Sequence, residues 1–265
     1  MRIFVEGVGL LGPGLNDWQT GSLVVAGQAD YVPMPTILAT STLLPPAERR
    51  RTGVPVKLAL AVGEQAFLHA QRDMAATATV FTSSGGDGDN VHQINETLAT
   101  AELEVSPTRF HNSVHNAAAG YWSIAAQSHQ PSTSLCGYNA SFAVGLLEAA
   151  TQITVDSHAV ALIAYDHAYP QPLHAVRPVS ASFGVALVLT AQATAHTFAT
   201  LDVNFVAGTR NPTTLPYPAL ETLRANVPAA RSLPLLSALA RSATATVVLE
   251  LTAGNHLHIA TTPCK

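Results

Sequence analysis

Two hydrophobic patterns alternate along the first 190 residues of the chain. Short apolar runs bounded by turn residues indicate buried strands, and apolar residues spaced three and four apart indicate helices. The apolar runs predict strands at residues 2–9, 78–83, 132–135, 159–165 and 183–190. The helical spacing predicts helices at residues 16–21, 56–69, 116–124 and 141–152, and one more that ends near Leu98. Strands that alternate with helices are typical of an α/β domain with a mixed sheet.

The pattern changes after residue 190. We expect a strand at residues 200–206, a short helix at 233–241 and a final hairpin, 245–251 and 256–261, around Ala253-Gly254-Asn255. Residues 247–251 are too apolar to stand exposed, so this part should add strands and a helix to the same sheet. We therefore divide the chain into a core, residues 1–190, and a C-terminal extension, residues 191–265, packed on the same domain.

The composition is apolar and poor in charge. Hydrophobic residues make up 48% of the 265 positions, which is enough for a sizeable core, whereas charged residues make up only 11%. The usual charged share is about 25%. Two explanations of this low charge are equally consistent with the sequence. Part of the surface is covered by another subunit, or the composition favours Ala and Thr over Lys and Glu. The net charge of −4 gives no basic surface, which excludes nucleic acid as an expected partner.

The sequence does not predict export or membrane insertion. Its first residues lack a positively charged segment followed by a long apolar run, which a signal peptide needs. No unbroken apolar stretch reaches the length of about 18 residues that indicates a membrane span. Two cysteines do not make a disulfide framework. We therefore expect the protein in the cytoplasm.

Glycines near the N-terminus fit a nucleotide-binding pattern only in part. Gly7, Gly9 and Gly12 have the G-x-G-x-x-G spacing of a dinucleotide site. Pro13-Gly14 follows where the helix of such a site should begin, and no acidic residue follows a second strand about 20 residues later. The sequence therefore predicts no nucleotide, and no other cofactor.

Two clusters could suggest a metal ion. Asp87, Asp89 and Asn90 hint at calcium, but further oxygen ligands and a closing Glu are missing. The alternative, a strand-to-helix turn in which Asp89 or Asn90 caps the next helix, is favoured. His111 and His115 would share one face of a helix, yet no third ligand follows nearby. We predict no metal site.

The most informative stretch is residues 109–150. It contains one of the two cysteines, two histidines in H-x-x-x-H spacing, a Trp and two Tyr. Cys136 lies between a run of small polar residues and a predicted helix, so any chemistry should centre on its thiol. A buried, unreactive thiol is the commoner state of such a residue.

Four segments in order resemble the N-terminal half of a β-ketoacyl synthase, an enzyme of the thiolase fold. They are RIFVEGVGLLGPG, VFTSSGGDGDNVHQINETLA, FHNSVHNAAAGYWSIAAQSHQPSTSLCGYNASFAVGLLEAA, and AVALIAYDHAYPQPL followed by SFGVALVL. The resemblance covers roughly the first 190 residues. It implies a thiolase-like layered α-β-α fold with a mixed sheet, truncated relative to a full ketosynthase. The set most resembles short ketosynthase-like proteins of aryl polyene pathways, in which such a subunit acts as a chain-length factor beside a true ketosynthase.

The resemblance also implies that the catalytic set is incomplete. A ketosynthase uses a Cys nucleophile and two histidines that stabilise developing negative charge. The chain contains no H-G-T motif, and its histidines after residue 174 are His196, His256 and His258, none in a family setting. Counting back from Gly145, the family spacing places Gly137, and not Cys136, at the nucleophile position. Larger residues, Tyr138 and Asn139, then follow where small ones usually line the acyl pocket.

Three hypotheses remain. The first is a non-catalytic subunit that pairs with an active ketosynthase in polyketide, polyene or fatty-acid-type elongation and meets an acyl carrier protein transiently. Its expected interface and tunnel residues are Phe110, His111, Val114, His115, Asn116, Tyr121, Trp122 and Tyr138, for which ordinary core packing is the alternative. The second is an acyltransferase, thioesterase or condensing enzyme that uses Cys136 with His111 or His115 as base. The third is a degenerate homodimer that binds acyl carrier protein without processing it.

Overall fold

The structure is a computed structural model that describes residues 1–38, 42–101, 103–252 and 254–264. Its strands are β1 (Arg2–Leu11), β2 (Ala78–Thr82), β3 (Ser132–Leu135), β4 (Val160–Asp166), β5 (Phe183–Thr190), β6 (Ala199–Ala207), β7 (Ala245–Thr252) and β8 (Asn255–Pro263). They form an eight-stranded sheet in the order β3-β2-β4-β5-β1-β6-β8-β7. Strand β2 pairs in parallel with β3 and β4, and the other pairs are antiparallel. The predicted mixed sheet is confirmed.

Helices cover both faces of this sheet. They are α1 (Trp18–Ala26), α2 (Pro46–Arg49), α3 (Val54–Ala70), α4 (Gly88–Leu98), α5 (Pro107–Asn112), α6 (Ala117–Ala126), α7 (Ser141–Asp156), α8 (Leu173–Val176), α9 (Pro218–Asn226) and α10 (Leu233–Ala240). One apolar core lies between the sheet and α3 with α6, and a second lies between the sheet and α7, α10 and α1. The expected α-β-α layering is therefore present.

Strand β1 and helix α3 approach so closely that only glycine fits between them. A Cβ atom on Gly7 would collide with the carbonyl oxygen of Ala66, and one on Gly9 with that of Val62. Both glycines lie inside β1 and not in a phosphate-binding turn. Close packing of helix on strand thus accounts for Gly7 and Gly9, whereas Gly12 lies against the ring of Phe183.

The strands that follow residue 190 continue the same sheet. Strand β6 pairs with β1, and the hairpin of β7 and β8 pairs with β6. Helix α7 contacts β2 and β4 as well as β6 and β7, so it packs against strands from before and after residue 190. The apolar positions of β7, which include Val247 and Leu249, are buried in this layer as the sequence predicted. Residue 253 of the predicted turn lies outside the described residues.

The N-terminal end of the first helix differs from the prediction. The helix begins at Trp18, and Asp17 caps it where Asn16 was expected to do so. The carboxylate of Asp17 accepts a hydrogen bond of 2.7 Å from the backbone N–H of Thr20. Asp17 therefore satisfies one of the four N–H groups that an α-helix leaves without a partner at its start.

Four short helices were not predicted from the sequence. Helices α2, α5 and α9 begin at Pro46, Pro107 and Pro218, and α8 follows Pro172 directly. Proline at the first helical position is a start signal, but helices of four to nine residues show too little periodicity to detect. In the stretches that the structure describes, no helix is both long and apolar enough to cross a membrane.

Candidate functional site

The parallel strands β3, β2 and β4 end at the same edge of the sheet. The turns that follow them, residues 136–140, 83–87 and 167–177, therefore lie side by side. The carboxyl edge of parallel strands is where α/β proteins usually place their ligands. Residues 109–150, which the sequence analysis singled out, supply the first of these turns and the helices next to it. This edge is the candidate functional site.

A buried carboxylate anchors the turns at this edge. Asp166, the last residue of β4, is 1% exposed and accepts hydrogen bonds from the Ser84 backbone N–H at 2.8 Å and the Ser84 hydroxyl at 2.6 Å. Its other oxygen accepts from the backbone N–H of Ala229 at 2.8 Å. Burial raises the pKa of the Asp166 carboxyl, and the bonds from Ser84 and Ala229 oppose that rise. Asp166 was not among the residues predicted for the site, although an Asp that ends a buried strand is an available signal.

A tyrosine makes the turn between β3 and α7. Tyr138 has a φ of 54°, in the left-handed region, and starts a short 3₁₀ turn that leads into α7. Gly137 has a φ of −127°, so the residue that the family spacing placed at the nucleophile position does not make the turn. The hydroxyl of Ser141 fixes the geometry because it accepts from the Gly137 N–H and donates to the Tyr138 carbonyl. An exposed phenol ring therefore projects from the turn.

The thiol of Cys136 lies two residues before that turn and is exposed. Its Sγ donates to the carbonyl of Ser84 at 3.4 Å. His115 lies near the same loop, with Nε2 3.0 Å from the carbonyl oxygen of Ser83. The side chains of His115 and Cys136 thus lie within hydrogen-bond distance of two consecutive backbone carbonyls, those of Ser83 and Ser84. His111 is exposed, and its ring meets that of Tyr121 edge-on at 6.0 Å between centroids.

The residues whose sequence hints at a calcium site, Asp87, Asp89 and Asn90, have other roles in the structure. Asp87 caps α4 by accepting from the backbone N–H of Asn90 at 3.0 Å, which corrects the expected cap at Asp89 or Asn90. Asp89 instead pairs with Nε2 of His167 at 3.2 Å, and the Asn90 side chain donates to the carbonyl of Arg109. Among the described residues, no three His, Cys, Asp or Glu side chains come together as metal ligands.

Two of the predicted interface residues lie in the core of the chain. Trp122 is 1% exposed and packs between Phe67 and Phe81, with centroid distances of 5.4 and 6.2 Å. Tyr121 is 2% exposed and donates its hydroxyl to Asn112 at 3.0 Å. For these two side chains the alternative that the sequence left open, core packing, is the observed arrangement.

The other predicted interface residues are exposed at the surface, except His115, which is half-buried. Phe110 is 70% exposed, Val114 51% and Tyr138 61%, and Asn116 is exposed as well. Phe110 and Val114 lie on α5 and just after it, next to the start of α6. Large apolar side chains with this much exposure mark a surface for contact with another molecule when they are clustered.

A groove opens beside the Tyr138 turn. It has a volume of about 840 Å³, and its lining, mostly apolar, comes from α4, α8 and the turns at the carboxyl edge. Val91 of α4 and Leu173 and Val176 of α8 contribute exposed apolar surface to it. Arg177 lies at the same place, with its guanidinium carbon 3.5 Å from the centre of the Tyr138 ring. Neither Arg177 nor α8 was predicted to have a role from the sequence.

The chain matches the family model described as "Beta-ketoacyl synthase, N-terminal domain" over residues 18–248. The match runs past residue 190, where the resemblance seen in the sequence ended, and includes much of the C-terminal extension. No curated protein matches the chain.

Solved structures of ketosynthases share its fold. A ketosynthase (ApeO) in complex with its chain length factor (ApeC) from Xenorhabdus doucetiae gives a TM-score of 0.74 at 23% identity, over 98% of this chain and 99% of that chain. The ishigamide ketosynthase/chain length factor gives 0.74 at 15% identity, with both chains fully covered. A β-ketoacyl synthase from Burkholderia phymatum STM815 gives 0.71 at 11% identity, again over both full chains. At these identities the likeness shows the thiolase-like fold alone. Because the family model matches most of its length, the chain belongs to the β-ketoacyl synthase family, N-terminal domain.

Proposed function

We propose that the chain is a non-catalytic ketosynthase-like subunit, a chain-length factor, that pairs with an active β-ketoacyl synthase and shapes its acyl tunnel. The observation that carries the proposal is the turn between β3 and α7. A ketosynthase presents a thiolate there, at the start of a helix that lowers the thiol pKa. In this chain Tyr138 makes the turn, and Cys136 lies before it with its Sγ bound to a backbone carbonyl.

The histidines of the C-terminal extension support the same proposal. A condensing enzyme needs two of them to stabilise the negative charge that develops on a thioester oxygen. His256 is 2% exposed, and its Nδ1 lies 2.8 Å from the carbonyl of Gly208, so this nitrogen is held by the backbone. His258 lies within strand β8, and His196 is exposed in the turn before β6. None of these three stands in a family motif.

The surface features fit pairing with a second subunit. Strand β3 stands at the end of the sheet and, in the described part of the chain, pairs only with β2. An open strand edge is a site for pairing with another chain. Phe110 and Val114 add exposed apolar surface, and Leu103 is 67% exposed in the segment before α5. The low charge content, 11%, agrees with a covered surface.

The groove beside Tyr138 fits an acyl chain. Its volume of about 840 Å³ is within the range of small-molecule sites, and its exposed side chains are largely apolar. A transient carrier partner is part of the proposal, since another similar structure is described as a type II PKS acyl-carrier protein in complex with its ketosynthase. The proposed role in aryl polyene, other polyketide or fatty-acid-type elongation rests on the sequence resemblance. The cytoplasmic location stays an expectation from the sequence pattern.

Co-expression with a full-length ketosynthase encoded beside this chain tests the proposal. We expect a complex of one copy of each subunit, measured by native mass spectrometry. Phe110→Asp should weaken the complex, because it places a charge in a desolvated contact. Val155→Asp is the matched control, since Val155 is 73% exposed on α7 and should leave the complex intact. If this chain purifies as a homodimer that does not bind the ketosynthase, the result would support the degenerate-homodimer hypothesis instead.

A Cys136-dependent acyltransferase, thioesterase or condensing enzyme is the second candidate. One observation favours it, because Cys136 is exposed and shares the Ser83–Ser84 loop with His115. Incubation of the purified chain with an acyl-carrier thioester, followed by intact-mass measurement, separates the two. The non-catalytic proposal expects no adduct. An acyl adduct that disappears in Cys136→Ala contradicts it.

A further inference from the structure

The Tyr138 ring is stacked against an arginine from a distant part of the chain. The guanidinium carbon of Arg177 lies 3.5 Å from the centre of the Tyr138 ring and 5.9 Å from that of Tyr169. Both distances are within the range of an attractive cation–π contact. Arg177 and Tyr138 also line the same groove, at the side where it meets the β3–α7 turn.

Hydrogen bonds do little to hold this guanidinium. Its Nε and Nη1 atoms are buried and have no hydrogen-bond partner among the described residues. Its Nη2 lies 3.5 Å from the side-chain oxygen of Asn139, at the limit of a hydrogen bond. Because two of its three nitrogens have no acceptor among the described residues and the third makes one long hydrogen bond, the faces of the aromatic rings are the main favourable contact of the Arg177 guanidinium. The positions of Arg177 and Tyr138 therefore depend on each other.

The second ring of the stack is fixed by the buried carboxylate. The Tyr169 hydroxyl lies 3.2 Å from the hydroxyl of Ser84, which donates to Asp166. The Tyr169 ring also covers Gly85, where an added Cβ atom would collide with its hydroxyl. A continuous series of contacts thus runs from Asp166 through Ser84, Tyr169 and Arg177 to Tyr138.

We propose that Arg177 is a positioning residue that holds Tyr138 across the groove, and that the held ring limits how far an acyl chain extends in it. The limit on acyl length rests on the function proposed above. The contact between Arg177 and Tyr138 does not, and it can be tested in this protein without a partner. The stack gives the Tyr138 ring, which is 61% exposed on a residue with a left-handed φ, a partner that can hold it in position. Without Arg177 the ring is free to rotate away from the groove.

The first measurement is made on the free, full-length chain. Nuclear magnetic resonance of ring-labelled tyrosine should show that the Tyr138 ring signals move and broaden in Arg177→Met. Arg177→Lys, which keeps a cation, should move the Tyr138 signals less than Arg177→Met does. Arg210→Met, an exposed arginine outside the groove, should leave the ring signals unchanged. Unchanged Tyr138 signals in Arg177→Met overturn the proposal, whether or not the chain pairs with a ketosynthase.

The second measurement uses the reconstituted pair and the longest acyl chain on its carrier protein, determined by mass spectrometry. Tyr138→Ala should lengthen the product by at least one elongation unit, and Arg177→Met should shift it in the same direction. In the Tyr138→Ala background Arg177→Met should add nothing, because Arg177 acts through the ring.

The outcomes separate this inference from the proposed function. Normal pairing with unchanged product length in Arg177→Met and Tyr138→Ala overturns the inference and leaves the pairing function intact. Additive effects of the two substitutions assign Arg177 a direct contact with the chain, which also overturns the positioning role. A wild-type chain that does not pair overturns the proposed function and the length limit together, while the ring signals still decide whether Arg177 holds Tyr138.

Discussion

Aromatic side chains in one stretch of sequence occupy two different environments. Trp122 and Tyr121 are 1% and 2% exposed and pack α6 against the sheet, whereas Phe110 and Tyr138 are 70% and 61% exposed. All four come from the segment that resembles a ketosynthase. The buried pair keeps the layers of the fold together, and the exposed pair is available to another molecule. A resemblance over a segment therefore does not assign one role to all its aromatic residues.

Substitution of the buried and exposed rings should separate the two environments most clearly. Trp122→Ala removes the ring that fills the space between Phe67, Phe81 and Gly63, so the free energy of unfolding should fall by about 3–5 kcal/mol. Phe110→Ala should change it by no more than about 0.5 kcal/mol. Urea denaturation measures both. Equal losses in the two variants would show that Phe110 has a packing role in the free chain.

A buried polar group, the carboxylate of Asp166, holds the turns beside the exposed Tyr138 ring. Asp166→Asn keeps the size of the side chain but turns an acceptor into a donor that faces the N–H groups of Ser84 or Ala229. Loss of one such buried bond should lower the free energy of unfolding by about 1–3 kcal/mol. Asp30→Asn, at an exposed site, serves as the control in the same denaturation series and should show no change. If Asp166→Asn also leaves the free energy of unfolding unchanged, the carboxylate does not anchor the turns.

The sequence predicted those parts of the fold that local hydrophobic pattern determines. The strands at residues 132–135 and 183–190 have the predicted bounds, and the second is buried at every position. A continuous apolar run flanked by turn residues leaves few other structures open. Helix α3 extends only two residues before and one residue after its predicted range, because its apolar spacing is regular.

The candidate site was harder to predict because distant residues build it. Arg177 and Tyr138 are separated by 39 positions, and Asp166 binds Ser84 and Ala229 across 82 and 63 positions. No periodicity relates such residues. The segment that supplies Tyr138 was identified by resemblance, but the family spacing placed Gly137 at the nucleophile position. The left-handed φ of Tyr138 depends on the packing of α7 and the Ser141 hydroxyl, which pattern does not show.

Two left-handed residues, one near each end of α7, allow the finest comparison. Ser157 ends the helix with a φ of 57°, and Tyr138 precedes it with a φ of 54°. Glycine adopts this conformation without the steric cost that other residues have, so Ser157→Gly should raise the free energy of unfolding by about 1 kcal/mol. Tyr138→Gly removes the same steric cost but also loses the contact of the ring with Arg177. The free energy of unfolding should therefore change by close to zero. The difference between the two variants, measured by urea denaturation, gives the contribution of the stack. If Tyr138→Gly stabilises as much as Ser157→Gly, the ring and the guanidinium contribute nothing to each other, and the contact that holds Tyr138 in place must be sought elsewhere.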